Sequence, residues 1–148
     1  MHNKFSDVIA LFTMDPHTSK MHAQEQIQLD LSGVRGDKHY DKEPNRSVLI
    51  TSLRPYEMAK ELGITMPYGA LGENILLDCD LHALQPGMEL LIGEAVVRIA
   101  QNCTLCTHLC AIDPRLPKLL KHDRGIFARV VKGATVHLGD GVYRRTFE

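Results

Sequence analysis

Short apolar runs, each ended by glycine, proline, aspartate or asparagine, recur along the whole chain. In the run EQIQLDLSGV (25–34), Ile27, Leu29 and Leu31 alternate with polar residues. Such alternation indicates a strand with one buried face. By this pattern, together with the turn residues that follow each run, the sequence predicts nine strands, at residues 7–13, 25–34, 46–52, 73–77, 88–93, 95–100, 126–131, 134–140 and 142–147.

Two glycine-containing turns lie between pairs of these runs. Gly93-Glu94 predicts a hairpin within MELLIGEAVVRIA, and Lys132-Gly133 predicts another within VVKGATV. Many short strands with few helices are typical of a mainly β fold, a β-barrel or strongly bent sheet whose ends are covered by a few short helices. The 148 residues are enough for one such core, so we expect a single domain over 1–148.

Helical patterns are confined to two segments. The first is LRPYEMAKELG (53–63), with Ser52 as the predicted N-cap, Pro55 in the first turn and Gly63 as the C-terminal stop. The second is 103–112, within the stretch AQNCTLCTHLCAIDP.

Composition and charge narrow the class of protein. The chain is 44% hydrophobic and 24% charged, with a formal net charge of −1, which gives no footprint of nucleic-acid binding. Its apolar runs, such as Val8 to Phe12, are far shorter than the ~20 residues of a membrane helix, and the N-terminal run is short for a signal peptide. We therefore expect a cytoplasmic protein with reduced thiols, bound neither to nucleic acid nor to a membrane.

Three of the four cysteines fall within the second helical segment. If 103–112 is a helix capped by Asn102 or Thr104, Cys103, Cys106 and Cys110 share one face, while Leu105, Leu109 and Ile112 share another and dock on the core. Zinc binding is one alternative for the thiols, but a straight helix would separate Cys103 and Cys110 by about 10.5 Å along its axis, too far for one ion. Burial as small apolar side chains is the other alternative, and Cys79 is interpreted in that way or as an incidental thiol.

Cys106 differs from the other thiols because a cap at Thr104 would place it in the first helical turn. Unpaired N–H groups and the helix dipole lower a thiol pKa there. A thiolate at this position can attack, carry sulfur or bind a soft metal centre.

Five segments taken together resemble the MOSC domain, a module named after the C-terminal part of eukaryotic molybdenum cofactor sulfurases. They follow the family's order and are GVRGDKHYDKEPNRSVLIT (33–51), YGALGENILL (68–77), LHALQPGMELLIGEAVVRIAQNC (81–103), CTHLCAI (106–112) and RGIFARVVKGATVHLGD (124–140). The resemblance implies a mainly antiparallel β-barrel. It also implies a hallmark cysteine after the strand at 95–100, best matched by Cys106, with Cys110 at a position that some relatives share. Cys103 has no family counterpart, so its role stays open.

The resemblance implies a cysteine that carries a persulfide or binds the molybdenum of a pterin cofactor. Cys106 is the predicted metal ligand, and Cys106, His108 and Cys110 are the predicted catalytic residues, with His108 as a base or hydrogen-bond donor. The candidate cofactor-binding residues, which could hold phosphate or pterin atoms, are Arg35, Lys38, His39, Arg46, Asn74 and Arg124. A structural turn pinned by Asp37 is the alternative for the GDKH loop, and turn hydrogen bonding is the alternative for Asn74.

The resulting hypothesis is a protein that acts through Cys106, either as a sulfur carrier or as a molybdenum cofactor protein. In the second case, its expected activity is the reduction of small N-oxygenated molecules. Its implied partners are a donor desulfurase, and a molybdoenzyme or a protein of cofactor biosynthesis as acceptor. The alternative is a non-catalytic binding or assembly module whose cysteines are structural or hold zinc.

Overall fold

The computed structural model describes residues 4–103 and 109–145. Within these ranges the chain forms eleven strands, three short α-helices and two 3-10 turns. The strands are β1 (Lys4–Met14), β2 (Met21–Gln24), β3 (Gln26–Asp30), β4 (Gly33–Val34), β5 (Val48–Ser52), β6 (Ile75–Leu77), β7 (Glu89–Ile92), β8 (Ala95–Asn102), β9 (Ile126–Lys132), β10 (Ala134–His137) and β11 (Gly141–Arg145). The helices are α1 (Arg54–Glu61), α2 (Leu109–Ile112) and α3 (Leu116–Leu119), and the 3-10 turns are Pro44–Arg46 and Leu81–Ala83.

Seven strands close into a barrel, which confirms the predicted mainly β fold. Their order around the ring is β1, β11, β7, β8, β9, β5 and β6, with β6 pairing back to β1. Only the pair of β5 and β6 is parallel among the pairings of the described strands. The strand β2 extends the sheet beyond β1, and β10, β3 and β4 form a separate three-stranded sheet.

The core has two main parts. Aliphatic side chains of the barrel strands fill the first, including Ile50, Ile75 and Ile92, all fully buried. The second lies under the helices, where Leu109 and Leu116 pack with buried residues of α1 and β6. The short helices therefore pack against the face of β6 that is opposite to Ile75 and Leu77. None of the helices in the described residues is long and apolar enough to cross a membrane.

Local strand patterns were predicted well, and long-range pairing was not. The Gly93-Glu94 hairpin is confirmed, because Ile92 pairs with Ala95 across that turn. The hairpin predicted at Lys132-Gly133 is wrong, since β10 pairs with β3. At Gly133 a Cβ atom would lie 2.6 Å from the carbonyl oxygen of Leu29, so the glycine permits the close approach of these two segments.

The alternating run at 25–34 is also two strands. Ile27 and Leu29 are buried, as the alternation predicts. Leu31 is 70% exposed, contrary to expectation, because β3 ends at Asp30 and the chain then turns into β4. Periodicity therefore identified the buried face of this segment but not its end.

The helix α1 begins differently from the prediction. Ser52 is the last residue of β5, where it pairs with Leu77, so it is not the N-cap. The cap position is Leu53, which makes no side-chain capping hydrogen bond. Pro55 lies in the first turn and Gly63 follows the helix with φ of +75°, both as predicted.

Substituting Gly63 tests whether its backbone conformation is the only reason that glycine stabilises this position. A Cβ atom at Gly63 would meet no heavy atom within 4 Å, so only the left-handed conformation opposes a side chain. Gly63→Ala is expected to lower the free energy of unfolding by about 1 kcal/mol, and Gly63→Asn by clearly less, because asparagine tolerates this conformation. Urea denaturation of the three proteins measures both values, and equal losses for alanine and asparagine would contradict the explanation.

Candidate functional site

One surface cleft, which we call the first cleft, brings together four of the six predicted cofactor-binding residues. Its volume is about 490 Å³. Lys38, His39, Arg46 and Asn74 line it together with Ser19 and an apolar wall formed by Met14, Met21, Leu49, Ala70, Leu71 and Phe127. Basic groups beside an apolar, partly aromatic wall suit a ligand that has both an anionic group and a ring system.

The loop that carries Lys38 and His39 is held by Asp37. The side chain of Asp37 is 1% exposed. Its Oδ1 accepts hydrogen bonds from the Met14 N–H (2.6 Å) and from Nδ2 of Asn74 (3.0 Å). Its Oδ2 accepts the His39 N–H (3.0 Å) and lies 3.2 Å from His39 Nδ1. Asp37 therefore holds the turn, which is what the structural interpretation of the GDKH loop predicts. Lys38 and His39 also line the cleft, which is what a ligand-binding loop requires.

The surroundings of Asp37 favour its ionised form. Burial raises the pKa of Asp37, but the hydrogen bonds from His39 and from the backbone of Met14 outweigh it, so the pKa of this carboxyl lies below its ordinary value. The ionised carboxylate can only accept, so Nδ1 of His39 is the donor in their contact. Nε2 is left as the polar atom of His39 that can meet a ligand.

Two further contacts orient the basic side chains of the cleft. Nζ of Lys38 donates to Oγ of Ser19 at 2.5 Å. The guanidinium of Arg46 lies over the ring of Phe127, 5.8 Å from its centroid, in a cation–π arrangement. Each of these basic side chains therefore contacts another residue that lines the cleft.

Asn74 serves the protein as well as the cleft. It is 4% exposed, and its Oδ1 accepts the Leu49 N–H at 3.0 Å. Its Nδ2 donates to the carbonyl of Phe12 at 3.3 Å and to Asp37. The amide therefore joins β1, β5 and the Asp37 loop, and a role in reading a pterin edge stays a prediction.

Arg35 and Arg124 do not line the first cleft. The Arg35 side chain is 64% exposed and its Nε lies 2.9 Å from Asp30 Oδ2, which also accepts the hydroxyl of Tyr40 at 2.6 Å. Arg124 lies at a different cleft, where its Nη2 donates to the carbonyl of Pro117 at 2.8 Å. The six predicted cofactor-binding residues thus divide between three places.

Only the two ends of the predicted cysteine helix, Cys103 and 109–112, lie among the described residues. Asn102 belongs to β8, so it caps no helix, and helical structure in the described part of the segment is limited to α2. Cys103 follows β8, and its N–H donates to the Gly125 carbonyl at 2.9 Å. Leu109 is buried as predicted, but Ile112 is 38% exposed, contrary to prediction.

The predicted thiols have different surroundings. Cys103 is buried beside Leu49 and Phe127 and lines the first cleft. Cys110 is exposed on α2, and Cys79 is half-buried, where burial raises its thiol pKa. Because burial raises its pKa, the Cys79 thiol is not expected to be a low-pKa nucleophile. The predicted residues Cys106 and His108, like Thr104 and Leu105, lie outside the described residues.

Sequence reasoning missed a buried acid behind the cleft. Glu73 is fully buried, and its Oε2 accepts hydrogen bonds from Thr51 Oγ1 at 2.6 Å and from the hydroxyl of Tyr56. Burial raises the pKa of Glu73 despite these hydrogen bonds. The available signal was the pair Glu73-Asn74, which lies between Gly72 and the fully apolar run of β6.

Within residues 4–103 and 109–145, no three His, Cys, Asp or Glu side chains are grouped closely enough to hold a metal ion.

Several solved structures have a similar fold. The YuaD protein from Bacillus subtilis is 16% identical, with a TM-score of 0.79 and full coverage of both chains. YiiM from Geobacillus stearothermophilus is 16% identical with a TM-score of 0.75, covering 95% of this chain and 75% of that one. YiiM from Escherichia coli is 19% identical with a TM-score of 0.70, covering 100% of this chain and 71% of that one.

No relative was found among curated proteins. The sequence model of the MOSC domain matches residues 36–143. That range includes Lys38, His39, Asn74 and Cys103, which line the first cleft. The resemblance seen in the five sequence segments is confirmed, and the chain belongs to the MOSC domain family.

Proposed function

We propose that this MOSC-domain protein binds a molybdenum cofactor, or carries sulfur as a persulfide, through Cys106. The observation that carries the proposal is the composition of the first cleft. Lys38, His39 and Arg46 line it together with Cys103, and Cys106 follows Cys103 by three residues in the sequence.

The residues of the cleft fit a pterin cofactor that bears a phosphate. Lys38 and Arg46 supply positive charge for the phosphate, and His39 offers Nε2 for a further hydrogen bond. Leu49, Leu71 and the ring of Phe127 supply an apolar surface for the pterin. When bound, the cofactor would supply a molybdenum centre for oxygen-atom transfer, with the Cys106 thiolate as its protein ligand and small N-oxygenated molecules as substrates.

The sulfur-carrier version uses the same thiolate as a nucleophile. The Cys106 thiolate attacks the outer sulfur of a donor persulfide, forms a new S–S bond and releases the donor's thiolate. The sulfur then leaves by the same exchange with an acceptor thiol, so that no external oxidant or reductant is required. The donor would be a desulfurase, and the acceptor a molybdoenzyme or a protein of cofactor biosynthesis, in a cytoplasm that keeps thiols reduced.

Metal and sulfur analysis of Cys106→Ser tests the proposal. The untagged protein, purified from a host that makes the cofactor, is expected to hold either molybdenum or cyanide-labile sulfur near one per chain. Cys106→Ser should lose it at an unchanged melting temperature, whereas Cys79→Ser, which alters a thiol whose pKa is raised by burial, should retain it.

The rival function is a non-catalytic module with structural or zinc-bound cysteines, and the packing of Cys103 beside Leu49 and Phe127 is the observation in its favour. Stoichiometric zinc whose loss in Cys106→Ser also unfolds the protein would establish the rival and reject the proposal.

A further inference from the structure

A second cleft lies beyond Cys103 and is larger than the first. Its volume is about 670 Å³. It is lined by the start of α1, the 3-10 turn Leu81–Ala83, the segment after α3 and the start of β9. Among the described residues Cys103 alone lines both clefts. The described linings of the two clefts therefore meet at this one residue.

Positive charge predominates in the lining of the second cleft. The basic residues of the lining are Arg54, Lys121 and Arg124, and they are joined by His82 and His122. The acidic groups among the described lining residues are Asp80 and Asp123. Because the cations outnumber the carboxylates, the lining favours an anionic occupant.

Asp123 organises two of the donors. Its side chain is 11% exposed, and its Oδ1 lies 3.1 Å from Arg54 Nε and 3.1 Å from His82 Nε2. The same His82 Nε2 lies 3.0 Å from the carbonyl oxygen of His122, so both of its neighbours are acceptors and this nitrogen carries a proton. Residues far apart in the sequence are thus joined at one carboxylate before any ligand binds.

The contact with Asp123 involves Nε of Arg54 and leaves the two terminal nitrogens of its guanidinium available to a ligand. Asp123 engages Nε, and the side chain of Arg54 is 60% exposed. The terminal nitrogens of a guanidinium match two oxygens of a phosphate or carboxylate in a bidentate contact. A shared carboxylate that orients such a fork reduces the entropy that binding would otherwise cost.

The remaining lining sets the size of the ligand. The volume exceeds what an inorganic ion needs and falls within the ~300–1,000 Å³ range of small-molecule sites. Leu84 and Ile126 contribute apolar surface beside the polar groups. We propose that the second cleft binds a small organic anion, with its phosphate or carboxylate at Arg54 and Lys121 and its apolar part against Leu84 and Ile126.

Arg124, which the sequence predicted to bind a cofactor, lines the second cleft. Its Nη2 is fixed on the carbonyl of Pro117, at the side of the cleft formed by α3. The proposal for the second cleft does not depend on the function proposed for Cys106, since none of the described charged residues that line it also lines the first cleft.

Calorimetric titration of the full chain with phenyl phosphate, benzoate and inorganic phosphate tests the inference. We expect phenyl phosphate or benzoate to bind more tightly than inorganic phosphate, with the preferred headgroup distinguishing the two ligand classes. Arg54→Gln should weaken that binding about tenfold or more, because it removes a charge-assisted pair. Lys121→Gln should also weaken it, and serves in place of Arg54→Gln if the latter has a lowered melting temperature.

Two arginines outside the second cleft serve as controls. Arg115 is paired with Asp113 at 3.0 Å, much as Arg54 is paired with Asp123, so Arg115→Gln should leave the affinity unchanged. Arg46→Gln, in the first cleft, should leave the binding that depends on Arg54 unchanged and remove only binding that belongs to the first cleft. The inference is overturned if neither organic anion binds the wild-type protein at millimolar concentration, or if binding is lost with Arg46→Gln and retained with Arg54→Gln and Lys121→Gln.

Discussion

Asp37→Ala is expected to lower the free energy of unfolding by about 3 kcal/mol or more and to abolish ligand binding in the first cleft. The substitution leaves the Met14 N–H and the Asn74 amide without their acceptor in a buried site. Each buried donor left unsatisfied costs about 1–3 kcal/mol. It also releases His39, whose N–H and Nδ1 both contact the carboxylate.

Urea denaturation measures the stability change of Asp37→Ala. Glu25→Ala is the matched control, because Glu25 is an exposed acid, and it should change stability by less than about 0.5 kcal/mol. A loss below about 1 kcal/mol for Asp37→Ala would contradict the role of Asp37 as the anchor of this loop.

The effect of Asp37→Ala should also depend on pH. The pKa of Asp37 in the folded protein lies below its ordinary value of 3.8, so the folded state releases the proton more readily than the unfolded chain. The stabilisation is therefore fully present above about pH 3.8 and is lost as the pH falls through the folded-state pKa. The difference between wild type and Asp37→Ala should narrow in that acidic range, whereas an unchanged difference would argue against an ionised Asp37.

Glu73→Gln is expected to remove a loss of stability that the wild-type protein suffers as the pH rises. The pKa of Glu73 is raised above its ordinary value of 4.5, with burial as the largest cause. Above pH 4.5 the unfolded chain releases this proton while the folded protein keeps it, so unfolding becomes easier as the pH rises toward the folded-state pKa. The wild-type protein therefore loses up to about 1.4 kcal/mol per pH unit in this range relative to Glu73→Gln.

The network around Glu73 explains why glutamine is the informative substitution. Its amide oxygen can accept the hydrogen bonds of Thr51 and Tyr56, and it carries no proton that titrates. The hydroxyl of Tyr56 also accepts the N–H of Gly69, a residue that lines the first cleft. Glu73 is thus joined to the cleft wall through one tyrosine.

Urea denaturation at several values between pH 5 and pH 8 measures the free energy of unfolding of the wild type and of Glu73→Gln. The free energy difference should move in favour of Glu73→Gln as the pH rises, whereas Glu57→Gln, on the exposed face of α1, should follow the wild type. A difference that stays constant with pH would mean that Glu73 is already ionised in the folded protein.

The sequence by itself determined the local features of this protein. Alternation identified Ile27 and Leu29 as a buried face, and Gly93-Glu94 as a hairpin turn, because strand pleating and turn conformation depend on adjacent residues. The ordered motifs identified the MOSC family and, with the count of short strands, the mainly β barrel. Gly63 was correctly predicted to follow the end of α1, since its left-handed backbone is a local property.

Only the tertiary structure decided which distant residues meet. The pairing of β10 with β3, the bond between Asp37 and Asn74, and the burial of Glu73 behind Tyr56 all join separate segments. Likewise, Lys38 and Arg46 line one cleft and Arg124 lines another, although the sequence predicted that all three bind the same cofactor. Such contacts depend on the closure of the whole sheet, and the spacing of residues along one strand carries no information about which other strand will lie beside it.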